Sequence, residues 1–534
     1  MWQGPTITNT HLSQGTKDDI ASRFCLEPLM TVSADGTFTP VLAAEVPTAQ
    51  NGGLGADGKT VTYKLKQGIK WADGEPFSAD DVLFTYQYIT DKETASTTYG
   101  NYTDVDKVDV VDPLTVRVTF KQPTGGWYVP FVGSAGQMLP KHVLQQYIGK
   151  TARDAPFNLK SFGTGPYMVK DFNPGDALTL VPNPYYREAN KPFFSEVDIK
   201  GGGDAVSAAR GVLQTGEYDY AWNLQVEGQV LNSMLQGGKG ELVLAPGGGV
   251  EMVHLNQADP NNEVDGERAS LKSKHPFLTD MRVRQAMALA IDRETMAKQL
   301  YAQTGDASPN ALTTPTNLAS KNTSIELNVA KANDLLDQAG YKRGSDGVRL
   351  TPDGVRMHVV YQTTINSLRQ KEQDIVKAGW QQIGIETELK SVDASVFFSA
   401  DVGNPDTNSK FFCDAEMYTS TFSSPFPLRF MQIWYSGDPT TDIAQRSNSW
   451  AGRNYTRWVN PEYNKLFDQV KAETDLQKAT QMWMQLNDMV IASYVTIPLI
   501  DRKDVAAKLK SLQGPSLSPF DALSWNIADW SKTA

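Results

Sequence analysis

The sequence predicts an α/β protein built of several domains, and two features carry that expectation. Stretches with the two-residue period of a strand alternate with stretches of helical spacing, which argues for a covered, partly parallel sheet. At 534 residues the chain is also too long for one hydrophobic core, so about three or four units are expected. An apolar content of 40% with 10% aromatics is that of an ordinary globular protein. Lys and Arg number 50 against 61 Asp and Glu, a net charge of −11 that favours solubility and leaves no basic footprint for nucleic acid or an anionic membrane.

Residues 1–5 show neither a charged n-region nor an apolar h-region, and no apolar run approaches the roughly 18 to 20 residues of a membrane-spanning helix. Such a start fits a mature exported protein whose leader was replaced by Met1, and fits a cytosolic protein equally. Residues 6–16 are polar and β-leaning, and residues 18–29 have amphipathic helical spacing. A short element at 41–45 and a glycine-rich break at 50–55 place a domain boundary near residue 45.

Next comes a strand at 60–66, with Val61, Tyr63 and Leu65 on one face and Thr60, Thr62, Lys64 and Lys66 on the other. Asp73, Gly74 and Pro76 supply turn chemistry. Ser78 then reads as an N-cap answered by Asp81 three residues on, opening a helix over 82–89. Strands at 107–111 and 115–120, and a helix at 141–149 begun by Pro140, complete a compact α+β unit ending near residue 160.

Gly163 and Gly165 stand beside a strand, but Pro166 follows and no helix opens, so they do not make a nucleotide-binding loop. Gly201 to Gly203 and Gly247 to Gly249 lack the lysine of such a loop and read as bends. A strand at 178–181 ends in the Pro-locked turn 182–186, a helix at 205–216 turns into a strand before Asn223, and the strand 251–256 takes the chain out of this region. Residues 257–495 read as a further α/β unit: helices at 279–292, 331–339 closed by Gly340, and 370–383, with strands at 357–361, 386–390 and 413–421.

Chemistry is thinly marked. There is no Gly-x-Ser-x-Gly, and five scattered His with only Cys25 and Cys413 give no metal spacing. A Cys25–Cys413 disulfide stays open at this point, as does a carboxylate pair assembled in three dimensions. Two aromatic strands fit a solute pocket better, since such pockets join apolar walls to a few placed polar groups. They are Tyr418, Thr419, Ser420, Thr421 and Phe422, and the segment with Trp222 and Asn223.

Five landmarks in register carry a resemblance. They are Trp71-Ala-Asp-Gly74, Gly163-Thr-Gly-Pro-Tyr167, Asn183-Pro-Tyr-Tyr186, Val283-Arg-Gln-Ala286 with Ala290-Ile-Asp292, and the run from Ala330 to Leu336 before Ala339-Gly-Tyr341. This order resembles that of family 5 of the extracellular solute-binding proteins, the peptide/nickel-type receptors of ABC importers. The resemblance implies a periplasmic-binding-protein-like two-lobed fold of type II with an extra small third domain, closing on ligand like a hinge. It implies lobe I from 1–44, 160–255 and 496–534, the extra α+β domain at 45–159, and lobe II at 256–495. It also implies a periplasmic or extracellular monomer, lipid-anchored in some forms, that binds a small molecule or peptide, delivers it to an ABC permease and uses no cofactor.

Peptide receptors of the family pair the ligand's amine with an aspartate in a Trp-x-x-Asp pattern, four residues before a proline. Here the matching segment is Tyr418 to Pro425, and Thr421 stands at the acidic position. A hydroxyl cannot pair with an ammonium as a carboxylate does, so either Asp414 or Glu416 takes over or the ligand has no free amine there. The ligand classes that remain are an oligopeptide and an oligosaccharide or sugar conjugate such as an opine. The same alignment turns Ser13, Gln14 and Gly15 toward the cleft from lobe I. Nickel is disfavoured because no His cluster accompanies these strands. The reading from another class is a secreted hydrolase acting on peptides or oligosaccharides.

Overall fold

The computed structural model describes residues 1–13, 15–224, 226–398, 403–421 and 424–533, with the side chains of Ala394 and Ser395 excepted. The stretch read as strand, turn and capped helix folds that way. Thr60–Lys64 is a strand with Val61 and Tyr63 buried, and Ala79–Thr90 is a helix opened by a reciprocal Ser78–Asp81 capping box. Asp81 accepts from the Ser78 and Lys141 amides at 3.0 Å each and from Trp71 Nε1 at 3.4 Å, so its carboxylate is engaged in holding the local chain.

That strand pairs with Thr115–Phe120, which pairs with Val105–Asp112, giving a three-stranded antiparallel sheet. A second such sheet is made by Tyr167–Asn173, Ala177–Pro182 and Val197–Lys200. The expected helices are shorter than their patterns. The first runs over Thr16–Arg23, and the one begun by Pro140 keeps α geometry only over Lys141–Leu144. Cys25 and Cys413 are both buried and free, which closes the disulfide question.

The central sheet organises the rest. Its six main strands in chain order are β1 (Gly240–Leu255), β2 (Gly305–Ala307), β3 (His358–Thr364), β4 (Glu386–Val392), β5 (Ala415–Thr421) and β6 (Thr496–Leu509), arranged β2-β6-β1-β5-β3-β4, and the short strand Tyr220–Ala221 joins them beside β6. β3 lies parallel to both β4 and β5, while β1 is antiparallel to β5 and β6, so the sheet is mixed. β1 and β6 pair from Gly240↔Leu509 to His254↔Thr496 with a register shift between Pro246 and Gly249. Gly248 adopts φ +67°, and a side chain at Gly247 would stand 2.8 Å from the Arg502 carbonyl, so the triple glycine allows the shift inside the strand.

The two long strands serve two cores. Leu213, Leu231, Met234, Ala221 and Ala507 form a small one, and Val253, Leu255, Tyr361, Trp380, Met417 and Ile497 a larger one. A third core extends from Leu12 to Ile199 and takes in Phe426, Trp434, Tyr463, Phe467 and Trp483 from the C-terminal third. Edge-on rings carry that junction, Tyr128 to Phe426 at 6.0 Å and Phe426 to Trp483 at 5.6 Å. The Gly125 amide also donates to the Lys471 carbonyl at 3.0 Å.

Candidate functional site

Period-two alternation divides β5 into two faces, and its register against β1 fixes which residues share each. Glu416, Tyr418 and Ser420 pair across from His254, Met252 and Val250, while Met417 and Thr419 pair across from Val253 and Glu251.

On the first face the Tyr418 ring stacks on His254 at 4.7 Å between centroids and meets Phe397 and Phe398 edge-on at 5.9 and 6.2 Å. Phe398 is 50% exposed and forms the open end of this aromatic wall. Polar atoms line it without protein partners: His254 Nε2, Glu416 Oε2, Ser420 Oγ, and Arg453 Nε from the loop that follows. Burying such atoms unpaired costs about 1–3 kcal/mol each, so this face concentrates polar groups that the fold itself leaves unsatisfied. Burial pushes the Glu416 carboxyl well above the usual range, opposed by the nearby Arg457, and pushes the His254 imidazole down to about 3. Burial and the Glu416 charge together push the Tyr418 phenol well up.

The second face is occupied by the protein itself. Thr419 Oγ1 donates to Glu251 and accepts from Arg369 Nη2 at 2.9 Å and Arg502 Nη1 at 3.0 Å. Arg369, in the helix Ser367–Gln382, also donates through Nε to Glu251 Oε1 at 2.9 Å and through Nη1 to Thr364 Oγ1 at 2.8 Å. Beside them Glu372 accepts from the Tyr301 hydroxyl at 2.6 Å, and burial with the neighbouring Glu251 raises it to about 8.

The sequence-predicted residues therefore separate. Tyr418 and Ser420 stand on the face that holds the partnerless atoms of His254 and Glu416, and Thr419 is engaged by Glu251, Arg369 and Arg502 on the other. Thr421 is exposed at the strand's end, and Phe422 lies outside the described residues. Trp222 and Asn223 follow the short strand Tyr220–Ala221, which pairs with Ala507 and Lys508 on the other half of β6. Trp222 is 5% exposed, stacked on Trp2 at 6.1 Å, and Trp2 Nε1 donates to the Asn223 carbonyl at 3.0 Å. Of the acids considered as substitutes at position 421, Asp414 is held by His275 at 3.0 Å and the Val360 amide at 2.7 Å. Glu416 keeps one oxygen without a partner.

From the N-terminal side, Ser13 donates its amide to the Thr10 carbonyl at 3.2 Å, and Gly15 caps the first helix with φ +153°. Gln14 lies outside the described residues. Residues 96–100 run from this segment to the vicinity of Arg429. The Ser96 hydroxyl and the Thr97 amide donate to the His11 carbonyl at 3.0 and 2.9 Å, and a side chain on Gly100 would meet Arg429 Nη1 at 3.5 Å.

His254 and Arg453 escaped the sequence reading, because a strand or loop residue is marked as a site only by what fails to pair with it, whereas Glu416 entered it as a substitute acid for position 421. Among the described residues no group of three or more His, Cys, Asp or Glu could hold a metal ion, and no helix is long and apolar enough to cross a membrane.

Residues 37–442 match the family model of the bacterial extracellular solute-binding proteins, family 5, middle region. The glutathione-binding protein GsiB of Salmonella paratyphi A is 25% identical over 483 residues, covering 89% of this chain and 83% of that protein. The oligopeptide-binding protein AppA of Bacillus subtilis is 26% identical over 535 residues, covering 98% and 89%. Among solved structures, HbpA2 from Haemophilus parasuis superposes with a TM-score of 0.78 at 19% identity, covering 99% of this chain and 98% of that one. The fold is thus the two-lobed one of the periplasmic-binding-protein type.

Proposed function

This chain belongs to the bacterial extracellular solute-binding proteins of family 5, and from that premise we propose that it captures a peptide-sized polar solute between two lobes and delivers it to an ABC permease. One face of β5 carries the reading: an aromatic wall of Tyr418, Phe397, Phe398 and His254, set with partnerless polar atoms of His254, Glu416, Ser420 and Arg453. Apolar walls with a few converging polar groups are what a small-solute pocket requires.

On this reading Ser13 and Gly15 belong to the opposite wall, with lobe I formed by 1–44, 160–255 and 496–534, the extra domain by 45–159 and lobe II by 256–495. β1 and β6, antiparallel neighbours that carry the chain out of and back into lobe I, are the two crossings about which the lobes turn. Ligand shifts the receptor toward the closed form by its differential affinity for it, and the permease reads that difference.

An oligopeptide is the favoured guest, since the relatives are a glutathione-binding and an oligopeptide-binding protein. An oligosaccharide or a sugar conjugate such as an opine is the second class. A secreted hydrolase draws no support from these relatives.

Native mass spectrometry of freshly purified protein, followed by titration calorimetry with the solute it retains, tests the proposal. One solute bound per chain, released unaltered, is the expected result. Turnover of a peptide or oligosaccharide would replace this reading with the hydrolase.

A further inference from the structure

The buried arginines of this chain have their terminal nitrogens held by the fold, except one. Arg23 pairs with Asp521 at 3.1 Å, and Arg349 meets the Asp337 carboxylate. Arg284 donates through Nη1 to the Leu278 carbonyl at 2.7 Å, and Arg457 through Nη1 and Nη2 to the Tyr455 and Lys410 carbonyls at 2.6 and 2.7 Å. Arg293 is only 6% exposed, yet it spends Nε alone, on the Pro498 carbonyl at 2.7 Å. Its two terminal nitrogens make no hydrogen bond and no ion pair among the described residues. Neither is sealed into protein as Arg457 Nε is, so both reach into the space that Arg293 lines, a cavity of about 100 Å³.

Five elements bring donors to that cavity. Gln285 comes from the helix Met281–Leu289, Arg293 from the first turn of Arg293–Met296, and Ser324 from the loop before the helix Val329–Gln338. Lys331 lies on that last helix, and Tyr494 is the cap of the helix Leu476–Ser493. The side chains of Gln285, Ser324 and Tyr494 have no hydrogen-bond partner among the described residues, which leaves an amide and two hydroxyls free to donate. One acid lines the cavity, Glu326, and it is already paired with Lys331 at 2.7 Å. The Arg293 charge is therefore uncompensated. Burial pulls its guanidinium down to about 10, opposed by the Tyr494 phenol, so it stays charged at neutral pH. A buried cation that keeps its proton calls for a counter-ion.

We propose that this cavity binds one small tetrahedral oxyanion of the phosphate or sulfate type, seated on Arg293 and ringed by Gln285, Ser324, Lys331 and Tyr494. Size and direction both select that class. The space is what about three waters fill at liquid density, room for such an ion and too little for a peptide. Donors arriving from five elements suit four oxygens pointing apart better than the two coplanar oxygens of a carboxylate. No lining residue lies on β5, so the site is separate from the solute face and does not depend on the receptor reading.

The test titrates the full chain, exchanged into chloride buffer, with inorganic phosphate and with sulfate by calorimetry, each against sodium chloride at equal ionic strength. One oxyanion per chain should bind with a Kd below about 1 mM, and chloride should give no saturable heat. Whichever of the two binds more tightly names the occupant. Arg293→Met should weaken binding at least about 10-fold. Because Arg293 also holds the Pro498 carbonyl, a second arm avoids it: Gln285→Ala/Lys331→Ala removes one half-buried and one exposed side chain. That variant should melt in chloride as the unsubstituted protein does and bind the oxyanion about 10-fold more weakly.

No heat above the chloride control for either oxyanion overturns the site and leaves water as its occupant. Full affinity in the Gln285→Ala/Lys331→Ala variant, or in a folded Arg293→Met variant, places the ion elsewhere and overturns it equally.

Discussion

Arg369→Met should be among the most damaging single changes in the central sheet. Glu251 is completely buried, and Arg369 supplies it with a charged hydrogen bond at 2.9 Å while also binding Thr364 and Thr419. Met keeps much of the stem's volume but removes the charge, leaving Arg502 at 3.8 Å as the nearest cation. Stranding one partner of a buried ion pair costs about 3–5 kcal/mol, and the surviving Arg502 argues for the lower end of that range. Neutralising the orphan in the double variant Arg369→Met/Glu251→Gln should restore about 2 kcal/mol relative to the sum of the single effects. Urea unfolding followed by tryptophan fluorescence measures the loss, and hydrogen exchange on β1 and β5 locates it, which matters because a chain of several domains need not unfold in one step. A single-variant loss below about 1 kcal/mol, or strict additivity in the double variant, would show that the cluster is not the coupled unit described here.

Three further outcomes are expected. Glu372 is raised to about 8 in the folded protein against an ordinary value of 4.5, so the native state holds the extra proton. Its contribution to stability is complete below about pH 4.5 and is lost as pH climbs to about 8, so Glu372→Gln should gain on the unsubstituted protein across that window in parallel urea titrations. Trp222→Ala should cost about 3–5 kcal/mol in the same assay, because it empties a buried site stacked on Trp2. Tyr418→Ala should instead weaken solute binding by about 10-fold in calorimetry while shifting the empty protein's melting temperature little; a large stability loss without an affinity change would make Tyr418 a core residue.

Where local chemistry closes on itself, the sequence was legible. The Ser78–Asp81 cap and the alternation of Val61 and Tyr63 are complete within a few residues, and both stand in the structure as read. The landmark order over more than half the chain likewise identified the family and, through it, the two-lobed fold.

The faces of a strand are another matter. Period two says that Tyr418 and Thr419 point oppositely, but not which of them meets the protein. That was decided by Glu251 across the register, Arg369 on a helix 118 positions from Glu251, and Arg502 on β6. Trp222 reads as an equally good pocket wall until Trp2 is seen lying on it, 220 residues earlier in the chain but touching in space. A side chain's availability to a ligand is the remainder after every long-range contact has been made. Composition and spacing determined the class, the family and the strands, and tertiary packing alone decided which polar atoms were left over.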